Sequence, residues 1–409
     1  KKLLTTITSK EPTVATKKEE PKAAIKETVV KKEQPKPIIK KDAPKAPQKK
    51  IAPPQEATGV YKIGSIIDLS GSLRLSGKQI QIGTNFILDK INQNGGINKT
   101  KIEIKYVDDG YTPKRSRPAA EDLIKQGIDV TLSSSGSPTL QSYLDLVEKK
   151  QMAVFFPQTG SDLFRKKDLD IFHLRASYPK EGYTLVKYSK EKLQGKKFLC
   201  FLQDDAFGEA GLKGAKKAFE DLKISKDNWI EVRYKRNTTT IESSKIKTAK
   251  DFNADTIILI SIALAAKEFL KQLGTEFLTN KNILGISDIQ EDYFINFLKE
   301  QGLKAIIASV TPNPTKSHLK IVEEFRAACK EQNIDPQMFA LEAYMNAKVF
   351  AHILNQVTGK LTKDKIIEAT KKIKSLEFGG LNLNYNPETN ELLDMLWLNT
   401  GKDEFELVK

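Results

Sequence analysis

Residues 61–96 read YKIGSIIDLSGSLRLSGKQIQIGTNFILDKINQNGG, and the succession of patterns in this stretch decides the fold. The apolar run 63–69 predicts a strand that breaks into the loop Ser70-Gly71-Ser72. A helical pattern follows, with Ile80, Thr84, Ile87 and Ile91 on one face, and Gly95-Gly96 stops it. A second apolar run, 102–107, ends in Asp108-Asp109. This is a βαβ opening, and in open α/β sheets ligands bind beyond the carboxyl ends of the strands. The loop after the first strand is therefore where binding chemistry is expected.

Outward from this stretch, apolar strand candidates recur at 128–133, 153–156, 171–174, 197–202, 229–234, 256–261, 282–286, 305–310 and 393–398. Helical patterns at 138–150, 182–193, 208–222, 242–252, 264–273, 317–332 and 338–357 separate most of them. Steady alternation predicts an α/β fold with mainly parallel sheets. Eleven strands are too many for one comfortable doubly wound sheet.

Residues 1–57 differ in kind. They hold 15 lysines against seven acids, a surplus of eight out of the chain's net +15, with eight of its 17 prolines and no aromatic residue. Such a segment cannot bury enough apolar surface to offset its ordering entropy, and it is expected to be a disordered, partly polyproline-like spacer. Without interleaved aromatic residues it is not expected to bind nucleic acid; a solvated spacer near anionic headgroups suits it better. No run of 18 apolar residues exists, and any export signal or anchor is expected upstream of Lys1. Cys200 and Cys329 read as small buried hydrophobes, and neither a metal site nor a cofactor is expected. His173, His318 and His352 have no carboxylate or serine partner at motif spacing. No phosphate-binding, dinucleotide or hydrolase motif is present, so catalysis is not expected.

The sharpest chemical signal is Ser133-Ser134-Ser135-Gly136-Ser137-Pro138-Thr139, between a strand and a helical pattern. Pro138 suits a first helical position and Ser137 the cap before it, an arrangement that presents backbone N–H groups and hydroxyls to an anion. The competing reading is an ordinary capped helix.

LSGSLRLSG with INQNGGIN and KIEIKYVDDGYTP resembles the opening of type I periplasmic solute-binding proteins, in particular the branched-chain amino acid and amide binders of ABC importers. The resemblance continues in order through VTLSSSGSPT, FFPQTGSDLFR, FHLRASYPKEG, FLQDDAFGEAG, the GISD at Gly285 and FALEAY at Phe339. It implies two lobes joined by three crossing strands, with crossings near 177–179, 310–314 and 385–389. Lobe one would be 58–177 plus 312–386, and lobe two 178–311 plus 387–409. It further implies that Ser135, Ser137 and Thr139 face a ligand carboxylate, and that Thr159 or Ser161 touches both ends of a bound amino acid. Gln158 stands where that segment usually has a small residue. Asp288 would receive an ammonium group, and Phe207 would form an apolar wall over the side chain. The implied role is extracytoplasmic capture of an amino acid-like solute by hinge closure and its delivery to a membrane permease. An envelope interaction protein on the same fold, such as a regulator of peptidoglycan synthesis, is the alternative.

Overall fold

The computed structural model describes residues 57–238 and 240–408, so the expected spacer 1–57 lies, but for Ala57, outside the described residues. The first sheet is built from β1 (Gly59–Ile67), β2 (Thr100–Asp108), β3 (Val130–Leu132), β4 (Ala153–Phe155) and β5 (Ile171–Phe172). It is wholly parallel, in the order β2-β1-β3-β4-β5. Next come β6 (Phe198–Gln203), β7 (Trp229–Tyr234), β8 (Thr256–Ile260), β9 (Asn282–Gly285) and β10 (Ala305–Ser309). A small hairpin, β11 (Leu376–Phe378) and β12 (Leu381–Leu383), precedes β13 (Trp397–Asn399) and β14 (Glu406–Leu407). The second sheet runs β7-β6-β8-β9-β10-β13-β14, and only β13 runs against the others, so that the β10–β13 and β13–β14 pairings are antiparallel. Its first five strands repeat the order of the first sheet.

Burial follows position in the sheets. The central strands β6 and β8 are buried throughout, as the continuous runs FLCFLQ and TIILI require. The edge strand β2 alternates instead. Helices flank both sheets, and each lobe has its own core. One core gathers Phe155, Phe172, Phe325, Leu341 and Phe350 around the first sheet; the other gathers Phe201, Phe207, Leu259 and Phe269 around the second. Helix Arg74–Gln93 packs against helix Met338–Gln356 with its backbone almost touching. A Cβ at Gly83 would lie 2.0 Å from the Ala340 carbonyl oxygen, so only glycine fits there.

The expected two-lobed α/β class holds, with local differences. The helix read over 138–150 is two short ones, Ser137–Gln141 and Leu144–Glu148, with Gly136 rather than Ser137 at the first cap. Gly136 takes φ 92°, and a Cβ on it would lie 2.5 Å from Thr139 Oγ1 and 2.8 Å from the Tyr111 ring. The strand read over 393–398 forms a ladder only at Trp397–Asn399, because the chain just before it is committed to a crossing between lobes. There the His173 N–H donates to the Asn390 carbonyl (2.9 Å) and the Leu392 N–H to the His173 carbonyl (2.8 Å). Arg165 staples this crossing: it pairs with Glu391 and donates to the Arg175 and Ala176 carbonyls at 2.9 and 3.2 Å.

Candidate functional site

Strand order reverses between β1 and β3 in one sheet and between β6 and β8 in the other, so each sheet has a crevice at its carboxyl end. In the first lobe the loops after β1, β3 and β4 are bound together there. The Ile66 N–H donates to Ser134 Oγ (3.1 Å), the Ser135 N–H to the Ile66 carbonyl (3.0 Å) and the Gln158 N–H to the Ser134 carbonyl (2.8 Å). Ser133 and Phe156 both adopt left-handed backbone, at φ 54° and 50°. For a bulky residue such as Phe156 this conformation is costly and persists only where its surroundings enforce it. The enforcing group is Asn346, which is 3 % exposed on helix Met338–Gln356; its Nδ2 donates to Ser133 Oγ (3.1 Å) and to the Phe156 carbonyl (3.0 Å).

Within this frame Ser137 Oγ and Thr159 Oγ1 lie 2.6 Å apart, buried. The Gly160 carbonyl accepts from the Tyr178 N–H (2.7 Å), at the start of helix Tyr178–Lys192. The Tyr178 hydroxyl in turn donates to Asp288 Oδ1 (3.1 Å), and its ring meets Phe207 edge-on at 5.0 Å. Phe207 is positioned by Asp205, whose side chain caps helix Ala206–Asp221 through the Phe207 N–H. Ser137, Thr159, Phe207 and Asp288 thus form one connected set with Tyr178 at its centre. The other expected residues turn elsewhere. The Thr139 hydroxyl donates back to the Ser135 and Gly136 carbonyls, at 2.6 and 2.8 Å. Ser135 contributes its backbone. Gln158 Nε2 donates to the Phe339 carbonyl (3.4 Å), and Ser161 caps the short turn Asp162–Phe164.

Asp288 is not a lone carboxylate. Arg175 Nη2 reaches its Oδ2 at 3.4 Å and Ser287 Oγ at 2.8 Å, and also faces Glu181 at 3.7 Å, while its Nη1 faces Glu342 at 3.3 Å. Two buried carboxylates, Glu181 and Glu342, and the partly buried Asp288 therefore surround one guanidinium, which cannot neutralise them all. Burial pushes Glu181 and Glu342 up to about 7, the attraction of Arg175 offsetting it only in part, and raises Asp288 for the same reason. Arg175 stays cationic throughout, so the carboxyls carry the titration. Gln158 Oε1 and Arg175 Nε are buried with no hydrogen-bond partner among the described residues. On the far side, Gln203 Nε2 donates to the Tyr111 hydroxyl across the cleft (2.9 Å).

Sequence reasoning did not single out Tyr178, Arg175, Glu181, Glu342 or Asn346. A signal existed for the first: an aromatic residue directly before a helix-starting proline, Tyr178-Pro179, beyond a strand end.

With this geometry in place, the comparisons with known proteins agree in kind. A family model described as periplasmic binding protein matches residues 60–396. The Leu/Ile/Val-binding protein homolog 3 of Brucella melitensis is 23% identical over 345 residues, covering 81% of this chain and 88% of that protein. A possible leucine/isoleucine/valine-binding protein from Rhodopirellula baltica superposes with a TM-score of 0.77 at 19% identity, covering 87% of this chain and 98% of the other. A fatty acid ABC transporter substrate-binding protein from Thermomonospora curvata superposes with a TM-score of 0.75 at 19% identity, covering 86% and 92%.

Proposed function

We propose that this chain, which belongs to the periplasmic binding protein family, captures a small polar solute outside the cytoplasm and hands it to the permease of an ABC importer. The solute class we favour is an amino acid or a related carboxylate or amide. One observation carries this reading. Hydroxyl loops of the first lobe and the Asp288–Phe207 wall of the second converge on Tyr178, and the guanidinium of Arg175, whose Nε is buried and unmet among the described residues, lies 5.3 Å from the Tyr178 ring. An unmet buried polar atom costs about 1–3 kcal/mol, which a polar solute of matching shape recovers. In this reading the solute's carboxylate lies by Ser137 and Thr159, with the backbone of Ser135 and Thr139 behind, and its ammonium group lies by Asp288.

The mechanism is closure of two lobes, 58–177 plus 312–386 and 178–311 plus 387–409, about the crossings. Closure desolvates the solute between them and strengthens each polar contact. Solute stabilises the closed form by its differential affinity for that form. The relatives' names support an amino acid, and the fatty acid binder on the same fold is the reason to test widely. A thermal-shift screen over amino acids, amides and organic acids tests the proposal. A true solute at about 100-fold over its Kd adds about 2.7 kcal/mol of stability. A screen in which no compound of these three classes shifts the transition overturns it and favours an envelope interaction role.

A further inference from the structure

Tyr178 stands at the crossing between the lobes, and its side chain is gripped along its whole length. At the root, its N–H donates to the Gly160 carbonyl (2.7 Å). Its ring then rests on the backbone of the loop that carries Thr159: a Cβ on Gly160 would lie 2.9 and 3.0 Å from the ring carbons Cδ1 and Cγ. The Arg175 guanidinium carbon lies 5.3 Å from the ring centroid, and the Phe207 ring meets it edge-on at 5.0 Å. At the tip, the hydroxyl donates to Asp288 Oδ1 (3.1 Å). The ring therefore runs from the Thr159 loop to Asp288, along the face of Phe207.

The helices that carry the two rings are pressed together backbone to backbone. A Cβ at Gly182 would fall on the Gly211 carbonyl oxygen, and one at Gly214 on that of Pro179. Helices Tyr178–Lys192 and Ala206–Asp221 both pack on the second sheet, so Tyr178 and Phe207 keep their places however the lobes sit relative to each other.

We infer that Tyr178 sets the size of the solute: its ring takes up the space into which a solute's side chain would point, so the site accepts a solute with no side chain larger than a methyl group. The inference rests on the reading that the cleft seats a solute with its carboxylate or amide by Ser137 and Thr159 and any amino group by Asp288. A side chain leaving that seat toward Phe207 meets the Tyr178 ring first. Swinging the ring aside gives up the hydrogen bond to Asp288, the contact with Phe207 and the cation contact with Arg175 together. Glycine, alanine and amides of that size fit beside it; a leucine side chain overlaps it.

Two homologous series test this: glycine, alanine, valine and leucine, and acetamide, butyramide and hexanamide. Each is titrated calorimetrically into the unaltered protein, Tyr178→Ala and Tyr178→Phe. The unaltered protein should bind the smallest member of a series about 100-fold more tightly than the largest. Tyr178→Ala should move that ratio at least about tenfold toward leucine or hexanamide, while Tyr178→Phe, which keeps the ring, should hold it. A merely structural role would weaken all members alike and leave the ratio where it was. Urea midpoints check folding, and Tyr178→Leu supplies a second shortened side chain should the alanine variant not fold. Preference for leucine or hexanamide in the unaltered protein, or an unchanged ratio in the shortened variants, overturns the size role and leaves the solute-binding reading standing. Failure of every chain to bind either series overturns the size role as well, and the wider thermal-shift screen then decides the solute-binding reading separately.

Discussion

Asn346→Ala removes the one side chain that ties the two left-handed loop residues together. Its two hydrogen bonds, 3.1 Å to Ser133 Oγ and 3.0 Å to the Phe156 carbonyl, are each worth about 1 kcal/mol net. Leaving the buried Phe156 carbonyl without that donor adds about 1–2 kcal/mol. Relaxation works the other way but only in part, because the buried loops stay packed: of the about 1–3 kcal/mol of backbone strain that Ser133 and Phe156 each hold, about 1 kcal/mol in all is recovered. The expected net loss is about 2–3 kcal/mol, smaller than the lost contacts alone suggest. Affinity should fall as well, since the loops that carry Ser137 and Thr159 lose their fixed spacing. Urea unfolding with the slope checked for constancy measures the first effect, and titration with the best compound of the screen measures the second. A loss below about 0.5 kcal/mol, with unchanged slope and affinity, would refute the claim that Asn346 enforces these conformations.

Gly136→Ala should cost about 2 kcal/mol or more and abolish binding, because φ 92° and contacts at 2.5 and 2.8 Å oppose a methyl group; thermal denaturation checks this. Asp288→Asn should weaken an ammonium-bearing solute by about 1.5–3 kcal/mol and its des-amino analogue much less, read by calorimetric titration; equal effects on both would remove Asp288 from that role. Thermal stability should fall between about pH 5 and about pH 8. Glu181, Glu291 and Glu342 are each pushed up to about 7 by burial, so the stability they contribute is complete below about pH 4.3 and is lost as pH rises through about 7. Glu181→Gln with Glu342→Gln should flatten the profile, and a midpoint that rises with pH over this range sinks the assignment.

Much of the architecture was legible in the sequence because parallel strands buried on both faces leave continuous apolar runs, such as FLCFLQ and TIILI. The hairpin Leu376–Phe378 with Leu381–Leu383 was missed although Gly379-Gly380 sits between two matching runs, a recognised turn signal. The loops that carry Ser137, Thr159, Phe207 and Asp288 were legible as loops because each follows a strand. The charges around Asp288 were not. Arg175, Glu181, Asp288 and Glu342 come from four separate elements, and only the crossing between lobes makes them neighbours. The left-handed turn at Phe156 was equally hidden, since no glycine marks it and its cause lies 190 residues away in Asn346.

The paired strands at the crossing restrict more than position. Two segments joined by backbone hydrogen bonds at His173, Asn390 and Leu392, and stapled by Arg165 and Glu391, resist sliding and twisting far more than they resist bending. In the proposed closure, relative motion of the lobes would thereby be confined to nearly one degree of freedom. Each stroke would bring Ser137 and Thr159 toward Asp288 and Phe207 in the same alignment, with no rotational search. Capture, in the proposed function, would then be a matter of timing as well as of contacts: a solute must be seated before the stroke ends, and its escape requires the same single motion to reverse.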